Sequence, residues 1–199
     1  MRGPELQASR SSESALLTRV AAGDRGAFAR LYDQHAVSVH QFARRLTRSR
    51  ELADEVLNDV MVATWRQAAQ FRGSSRLSTW ILGITYRTAM KALRRTTRIS
   101  AQEVAECAVL PAEDSPDQGV LRQESQDATR RAIGELSPEH RAVVELTFFH
   151  ELSYREISEV LGCPENTVKT RMFHARKRLR DMLANARVGG VPAQGANSP

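Results

Sequence analysis

Residues 152–180, LSYREISEVLGCPENTVKTRMFHARKRLR, decide the fold of the C-terminal part of this chain. The stretch predicts two short helices joined by a tight turn. Ser153 and Glu156 have the spacing of a capping box at a helix N-terminus. Gly162 favours the left-handed backbone that ends a helix, and Pro164 suits the first turn of the next one. Together these signals predict a helix-turn-helix.

The second helix of this motif is predicted to have two different faces. An apolar stripe at helical spacing consists of Val168, Met172, Ala175 and Leu179. Residues 165–187 carry two Lys and five Arg against two acidic residues, a net charge of +5. The polar face contains residue types that bond base edges as well as phosphates, which favours DNA binding. The alternative is a solvated basic helix in a motif that serves only for packing.

Composition narrows the class of protein. The chain has 199 residues and a formal net charge of +6, with clustered basic residues that indicate a polyanionic partner. No apolar run approaches the roughly 20 residues that span a bilayer, and the N-terminus lacks the apolar core of a signal peptide. Two cysteines, Cys107 and Cys163, make no disulfide framework, so a reducing cytoplasm is expected. The histidines and cysteines lack zinc-site spacing, and we expect no metal and no cofactor.

Helical periodicity with weak strand signals predicts an all-α protein of two small helical domains joined by a flexible acidic linker. Between residues 99 and 127 there are seven acidic residues and one basic residue. Ser49 is a candidate N-cap, and Gly73 lies in a predicted loop that precedes a helix over about 77–95. The predicted boundaries are a disordered N-terminus at 1–13, a first domain of three to four helices at 14–98, the linker at 99–126, the helix-turn-helix domain at 127–187 and a disordered tail at 188–199.

Four stretches follow one another along the chain: ELADEVLNDVMVATWR at 51–66, residues 71–95, LSPEHR at 136–141 and the helix-turn-helix. In this order they resemble the extracytoplasmic-function (ECF) group of sigma factors in the sigma-70 family. The first stretch resembles the family's region 2.2, the second its regions 2.3 and 2.4, and the last two its region 4. The resemblance implies a non-enzymatic subunit with no catalytic residues. It would bind core RNA polymerase at the β′ clamp helices and the β flap, recognise and help to melt promoter DNA, and be held by an anti-sigma factor.

The resemblance also assigns roles to individual residues. Core polymerase binding is implied for Asp54, Glu55, Asn58 and Asp59, although the family usually has Gln and Glu at the last two positions. Binding of the −10 region, including capture of a flipped base, is implied for Gly73, Ser74, Ser75, Arg76, Trp80, Tyr86, Arg87, Lys91 and Arg94. Binding of the −35 region is implied for Asn166, Thr167, Lys169, Thr170, Arg171, Phe173, His174, Arg176 and Lys177.

Trp80 has a structural alternative, because it is expected, like Trp65, to pack in the core. Two other classes of protein also fit a helix-turn-helix. One is a conventional transcriptional regulator that binds DNA as a dimer, with two-fold operator symmetry. The other is a recombinase or nuclease, which needs a nucleophile or a carboxylate metal site. The sequence offers only the carboxylates of Asp54, Glu55 and Asp59 for such a site.

Overall fold

The computed structural model describes the backbone of residues 3–103 and 129–188, and the side chains of residues 12–98 and 129–184. Every regular element in these ranges is a helix, as the periodicity predicts. The helices are α1 (Gly3–Ala21), α2 (Arg25–Thr47), α3 (Arg50–Gln67), a short 3-10 helix (Ala68–Gln70), α4 (Leu77–Glu103), α5 (129–134), α6 (Pro138–Phe148), α7 (Tyr154–Leu161) and α8 (Glu165–Val188).

The first domain is built from α1 to α4, which pack their apolar faces together. The side chain of Ser49 accepts a hydrogen bond from the Leu52 amide and caps α3, which confirms the prediction. Asp24 caps α2 in the same way through the Ala27 amide. The largest fully buried side chains in this domain include Phe42, Leu31 and Ile81.

Two helices extend beyond the bounds that the sequence predicts. α1 begins at Gly3, so most of the segment assigned to a disordered N-terminus is helical, because residues 5–8 have high helix propensity. α4 continues to Glu103, beyond the predicted ends of the helix and of the domain. The hydroxyls of Thr96 and Thr97 donate to carbonyls one turn back, and no Pro or Gly interrupts the chain there. The rest of the linker and most of the predicted tail lie outside the described residues.

The second domain confirms the caps that the sequence predicts. Ser137 accepts a hydrogen bond from the His140 amide at the start of α6. The capping box of Ser153 and Glu156 is complete, with both reciprocal hydrogen bonds formed. Gly162 ends α7 at a φ of 64°. α7 and α8 therefore form the predicted helix-turn-helix, with the apolar stripe of α8 turned inward.

The two domains pack against each other in this structure. Buried side chains from both domains belong to one continuous hydrophobic cluster. α6 lies against the C-terminal end of α2, and α7 lies across the N-terminal half of α4. A Cβ placed on Gly83 of α4 would lie 3.7 Å from the Val160 carbonyl oxygen of α7. The helix backbones therefore approach closely at this point.

Candidate nucleic-acid and polymerase interfaces

Two of the carboxylates on α3 pair with side chains of neighbouring helices in the same domain. Asp54 Oδ1 lies 2.9 Å from His40 Nε2, and Glu55 accepts from Arg95 Nη2 at 2.7 Å with both carboxylate oxygens. Asn58 and Asp59 are exposed one turn further along the same helix. All four residues predicted to bind polymerase therefore share one side of α3. The pairing of the first two makes Asn58 and Asp59 the more available groups.

The loop between the 3-10 helix and α4 has the exposed polar character that the sequence predicts. Gly73 has a φ of 69°, which a residue with a side chain rarely adopts. Ser74 and Arg76 are exposed and Ser75 is half-buried. The amide of Leu77, at the start of α4, donates to the carboxylate of Glu13 from α1 at 3.2 Å. This long-range cap fixes the loop, and the sequence pattern gave no sign of it.

Aromatic side chains near this loop have structural roles. Trp80 is half-buried and packs against Phe71 with ring centroids 5.4 Å apart. Trp65 packs edge-on against Phe28 at 5.0 Å. Both tryptophans therefore pack within the fold, as the alternative interpretation expected.

Tyr86 was expected to touch DNA. In the structure this side chain is only 8% exposed. Burial is the main cause that raises the pKa of its phenol, and the Arg171 guanidinium of α8 lies beside it and acts in the opposite direction. The helix-turn-helix covers this part of α4. In this arrangement Tyr86 faces the second domain and not solvent, which sequence periodicity within α4 had no means of showing.

The remaining basic residues of α4 form an exposed stripe. Arg87, Lys91 and Arg94 recur at helical spacing, and all three are exposed. Arg95 lies off this stripe, where it pairs with Glu55. A row of unburied cations along one helix face can follow a nucleic-acid backbone.

One face of α8 is buried and the opposite face is polar and basic. Val168, Met172 and Ala175 are buried, which turns the polar residues outward. Phe173 is 65% exposed although it is a large apolar side chain. Exposed residues on this helix include Asn166, Lys169, Thr170, Phe173, His174, Arg176, Lys177 and Arg178. Thr167 and Arg171 are half-buried, and Arg171 Nη1 lies 4.0 Å from Cys163 Sγ.

A cleft of about 650 Å³ lies between the start of α6 and the outer face of α8. The rings of His140 and His174 line this cleft, tilted by 46° relative to each other with centroids 6.3 Å apart. Burial, and then the nearby His174, lowers the pKa of His140. Lys177 and Arg178 line the same cleft together with Glu135 and Asp181, so its charge is mixed.

Within the described ranges, no group of three or more His, Cys, Asp and Glu side chains is placed to hold a metal ion. In the same part of the chain, none of the helices combines the length and apolarity needed to cross a membrane.

Models of known protein families match residues in both domains. Residues 31–99 match the family described as Sigma-70 region 2, and residues 126–179 match Sigma-70, region 4. The chain is 33% identical to the ECF RNA polymerase sigma factor SigM of Mycobacterium tuberculosis, over 89% of this chain and 88% of that protein. It is 30% identical to the RNA polymerase sigma factor YlaC of Bacillus subtilis, over 79% of this chain and 92% of the relative.

A solved structure agrees with the fold. The sigma factor RpoE, in its complex with the anti-sigma factor NepR from Bartonella quintana, superimposes with a TM-score of 0.65 at 23% identity. The match covers 79% of this chain and 96% of that one. Two family matches in the expected order, relatives of this similarity and the shared helical architecture identify the chain as a member of the sigma-70 family, an RNA polymerase sigma factor of the ECF group.

Proposed function

We propose that this sigma factor binds core RNA polymerase through α3 and reads promoter DNA with α4 and α8. The observation that carries the proposal is the separation of charge: an exposed acidic face on α3 and exposed basic faces on two other helices, one in each domain. Such a division suits a protein that joins a protein partner to a polyanion. The partners we infer are the β′ clamp helices, the β flap, promoter DNA and an anti-sigma factor, all in the cytoplasm.

The −35 contact is assigned to α8. Phe173 and His174 lie at the centre of its outer face, with Asn166, Lys169 and Thr170 nearer the N-terminus of the helix. Residues near the start of a recognition helix reach base edges in the major groove, and the later arginines bind phosphates. We assign Arg176, Lys177 and Arg178 to the phosphate backbone.

The −10 contact is assigned to the loop at 73–76 and to the stripe of Arg87, Lys91 and Arg94. The loop offers backbone groups and hydroxyls to an unpaired base, and the stripe follows the strand. Flipping a base out of the duplex costs a few kcal/mol, so several such contacts must act together. We assign no catalytic residue, because the chemistry of initiation belongs to the polymerase.

The polymerase contact is tested by charge reversal on α3. Replacing Asp59 with Arg removes an exposed carboxylate that has no structural role in the described fold, so we expect core polymerase binding to weaken by about tenfold or more. The matched control is Glu159→Arg, which makes the same charge change on α7. Binding is measured by fluorescence anisotropy with purified core enzyme. Equal affinity of the two variants and the unchanged protein would refute the assignment of α3.

A further inference from the structure

The helix that follows the loop at 73–76 begins at a residue whose side chain cannot cap it. The Trp80 amide donates to the Arg76 carbonyl at 3.1 Å, which places Arg76 at the N-cap position of α4. An arginine side chain carries only hydrogen-bond donors, so it accepts nothing from the free amides of the first turn. The first turn of α4 contains no acidic residue either. The start of this helix therefore needs an acceptor from elsewhere in the fold.

Glu13 of α1 supplies that acceptor. Its carboxylate oxygen Oε2 accepts from the Leu77 amide at 3.2 Å, from a position 64 residues earlier in the chain. Leu77 is fully buried, so its amide has little access to water that could replace the carboxylate. A negative charge is also favoured at the positive end of a helix. The bond between Glu13 and Leu77 therefore stabilises the first turn of α4.

The packing of α1 directs Glu13 toward this helix end. Leu17, one turn further along α1, is 2% exposed, and residues four apart lie on the same face of a helix. Burial lowers the pKa of His35 in α2, and the charge of Glu13 acts in the opposite direction, so the carboxylate lies near that ring. Glu13 precedes residues 31–99, which match Sigma-70 region 2, and the sequence assigns it to a disordered N-terminus. Its role comes from the tertiary fold.

The loop at 73–76 is held at both of its ends. Phe71, before the loop, packs against Trp80, after it, with ring centroids 5.4 Å apart. Leu77 directly follows the loop, so its bond to Glu13 fixes the point at which the loop joins α4. The fixed ends determine where the exposed polar groups between them are presented.

We propose that Glu13 is a positioning residue for base capture: its carboxylate holds the start of α4 and so keeps the loop at 73–76 in the conformation that receives an unpaired base of the −10 element. The inference rests on the proposed function of this loop. Glu13 acts through Leu77 and does not touch the base. A preformed site loses less conformational freedom on binding, so loss of this bond weakens capture although every group that contacts the base is still present.

Substitutions of Glu13 first test the cap itself. Glu13→Ala removes the acceptor, whereas Glu13→Gln keeps an oxygen that accepts from the same amide. Asp33→Ala removes the same charge from an exposed position of α2 and is the matched control. Hydrogen exchange of the Leu77 amide is measured by NMR in the free protein. We expect Glu13→Ala to accelerate this exchange about tenfold or more, and the other two variants to resemble the unchanged protein.

Base capture is then measured with the polymerase complex. Core RNA polymerase and each variant bind fluorescent single strands of the mapped −10 element, from either strand, in which an abasic site replaces one base at a time. With the unchanged protein and Asp33→Ala, an abasic site at the captured position should weaken binding about tenfold, the size of one base contact. With Glu13→Ala this penalty should fall to about threefold or less, and Glu13→Gln should restore most of it.

The ratio between intact and abasic strands separates positioning from stability, because a partly unfolded variant lowers the active fraction and leaves that ratio unchanged. An abasic penalty that is equal in Glu13→Ala and the unchanged protein would overturn the inference and leave the loop assigned to the −10 element. Exchange of the Leu77 amide that does not respond to Glu13→Ala would also overturn it. If no abasic site weakens binding of the unchanged protein, the loop captures no base, and its proposed function fails together with the inference.

Discussion

The surroundings of Arg141 depend on the tertiary fold, because this side chain of α6 is 5% exposed and donates hydrogen bonds to the Arg45 and Leu46 carbonyls of α2. Burial, and then the charge of Arg48, lowers its pKa to about 10, so it stays charged at neutral pH despite its enclosure. That charge is tolerated because carbonyl oxygens surround it, and its removal leaves those oxygens without a donor.

We therefore expect Arg141→Met to lower the free energy of unfolding by about 3 kcal/mol, which is the lower end of the range found when one partner of a buried charged network is lost. Urea denaturation followed by circular dichroism measures the change. Arg131→Met, on the exposed side of α5, is the matched control and should change stability by about 0.5 kcal/mol or less. Equal effects of the two substitutions would show that Arg141 has no special structural role.

Phe173 differs from the buried, charged Arg141, because it is a large apolar side chain that the fold leaves exposed. Phe173→Ala should change the unfolding free energy by about 0.5 kcal/mol or less, because little packing is lost. It should nevertheless reduce run-off transcription from a promoter that depends on the −35 element, with core polymerase binding unchanged. A large loss of stability, or full transcription, would contradict the assignment of Phe173 to DNA.

At the scale of single helices, local chemistry explains most of the boundaries. Ser153 accepts from the Glu156 amide, and the Glu156 carboxylate accepts from the Ser153 amide at 2.9 Å. Both bonds use only residues close in sequence, so the cap was predictable. Asp24 and Ser49 act in the same local way, although only Ser49 was predicted.

Removing this cap gives a prediction for the helix-turn-helix. Ser153→Ala should destabilise the protein by about 1 kcal/mol, because an amide at the start of α7 loses its acceptor. Thermal melting detects the loss as a lower Tm. Ser14→Ala, at an exposed position within α1, is the control and should leave Tm nearly unchanged. A Tm for Ser153→Ala equal to that of the control would mean that α7 does not depend on its capping box.

The buried side of a helix was predictable where its own apolar stripe decides which side chains are buried. The buried stripe of Val168, Met172 and Ala175 confirms the predicted orientation of α8. Tyr86 shows where this reasoning stops, since this buried side chain of the first domain lies beside Arg171 of the second. The ion pair of Glu55 with Arg95 could not be predicted from the sequence pattern either, because forty residues separate them in the chain.

For the whole molecule, the fold class and the order of the two domains followed from periodicity and motifs. The contact between the domains did not, because it depends on Arg45, Arg141 and Glu145, which carry no local signal of pairing across the chain. From the sequence alone, polar residues of this kind are expected to be exposed to solvent. Their role becomes visible only when the opposing helix end is in place.

The pH dependence of stability is a property of the whole fold. Burial is the main cause that lowers the pKa of His35, His140 and His150 below the usual 6.5. The folded state thus favours the neutral rings, and the stability they contribute is present above pH 6.5 and is lost as the pH falls below it. Glu145 acts in the opposite sense at lower pH, because burial raises the pKa of its carboxyl group above 4.5.

We therefore expect the urea midpoint to fall when the pH is lowered from about 7.5 to about 5.5. His150→Gln should make the urea midpoint depend less on pH. Burial, and then the charge of Arg45, disfavours protonation of the His150 ring, which packs edge-on against Phe42. An amide takes up no proton over this pH interval, so the substitution removes that contribution. A midpoint that stays constant or rises over this interval would show that the three histidines are not held neutral by the fold.

Transcription from a randomised promoter library tests most directly whether the two domains of this sigma factor read two separate promoter elements. The protein is combined with core RNA polymerase, and the start sites and upstream sequences of the transcripts are determined. We predict two enriched elements at a fixed spacing, with Phe173→Ala relaxing only the distal one and Lys91→Ala weakening dependence on the proximal one. A single palindromic element, or transcripts that do not depend on the protein, would contradict the account.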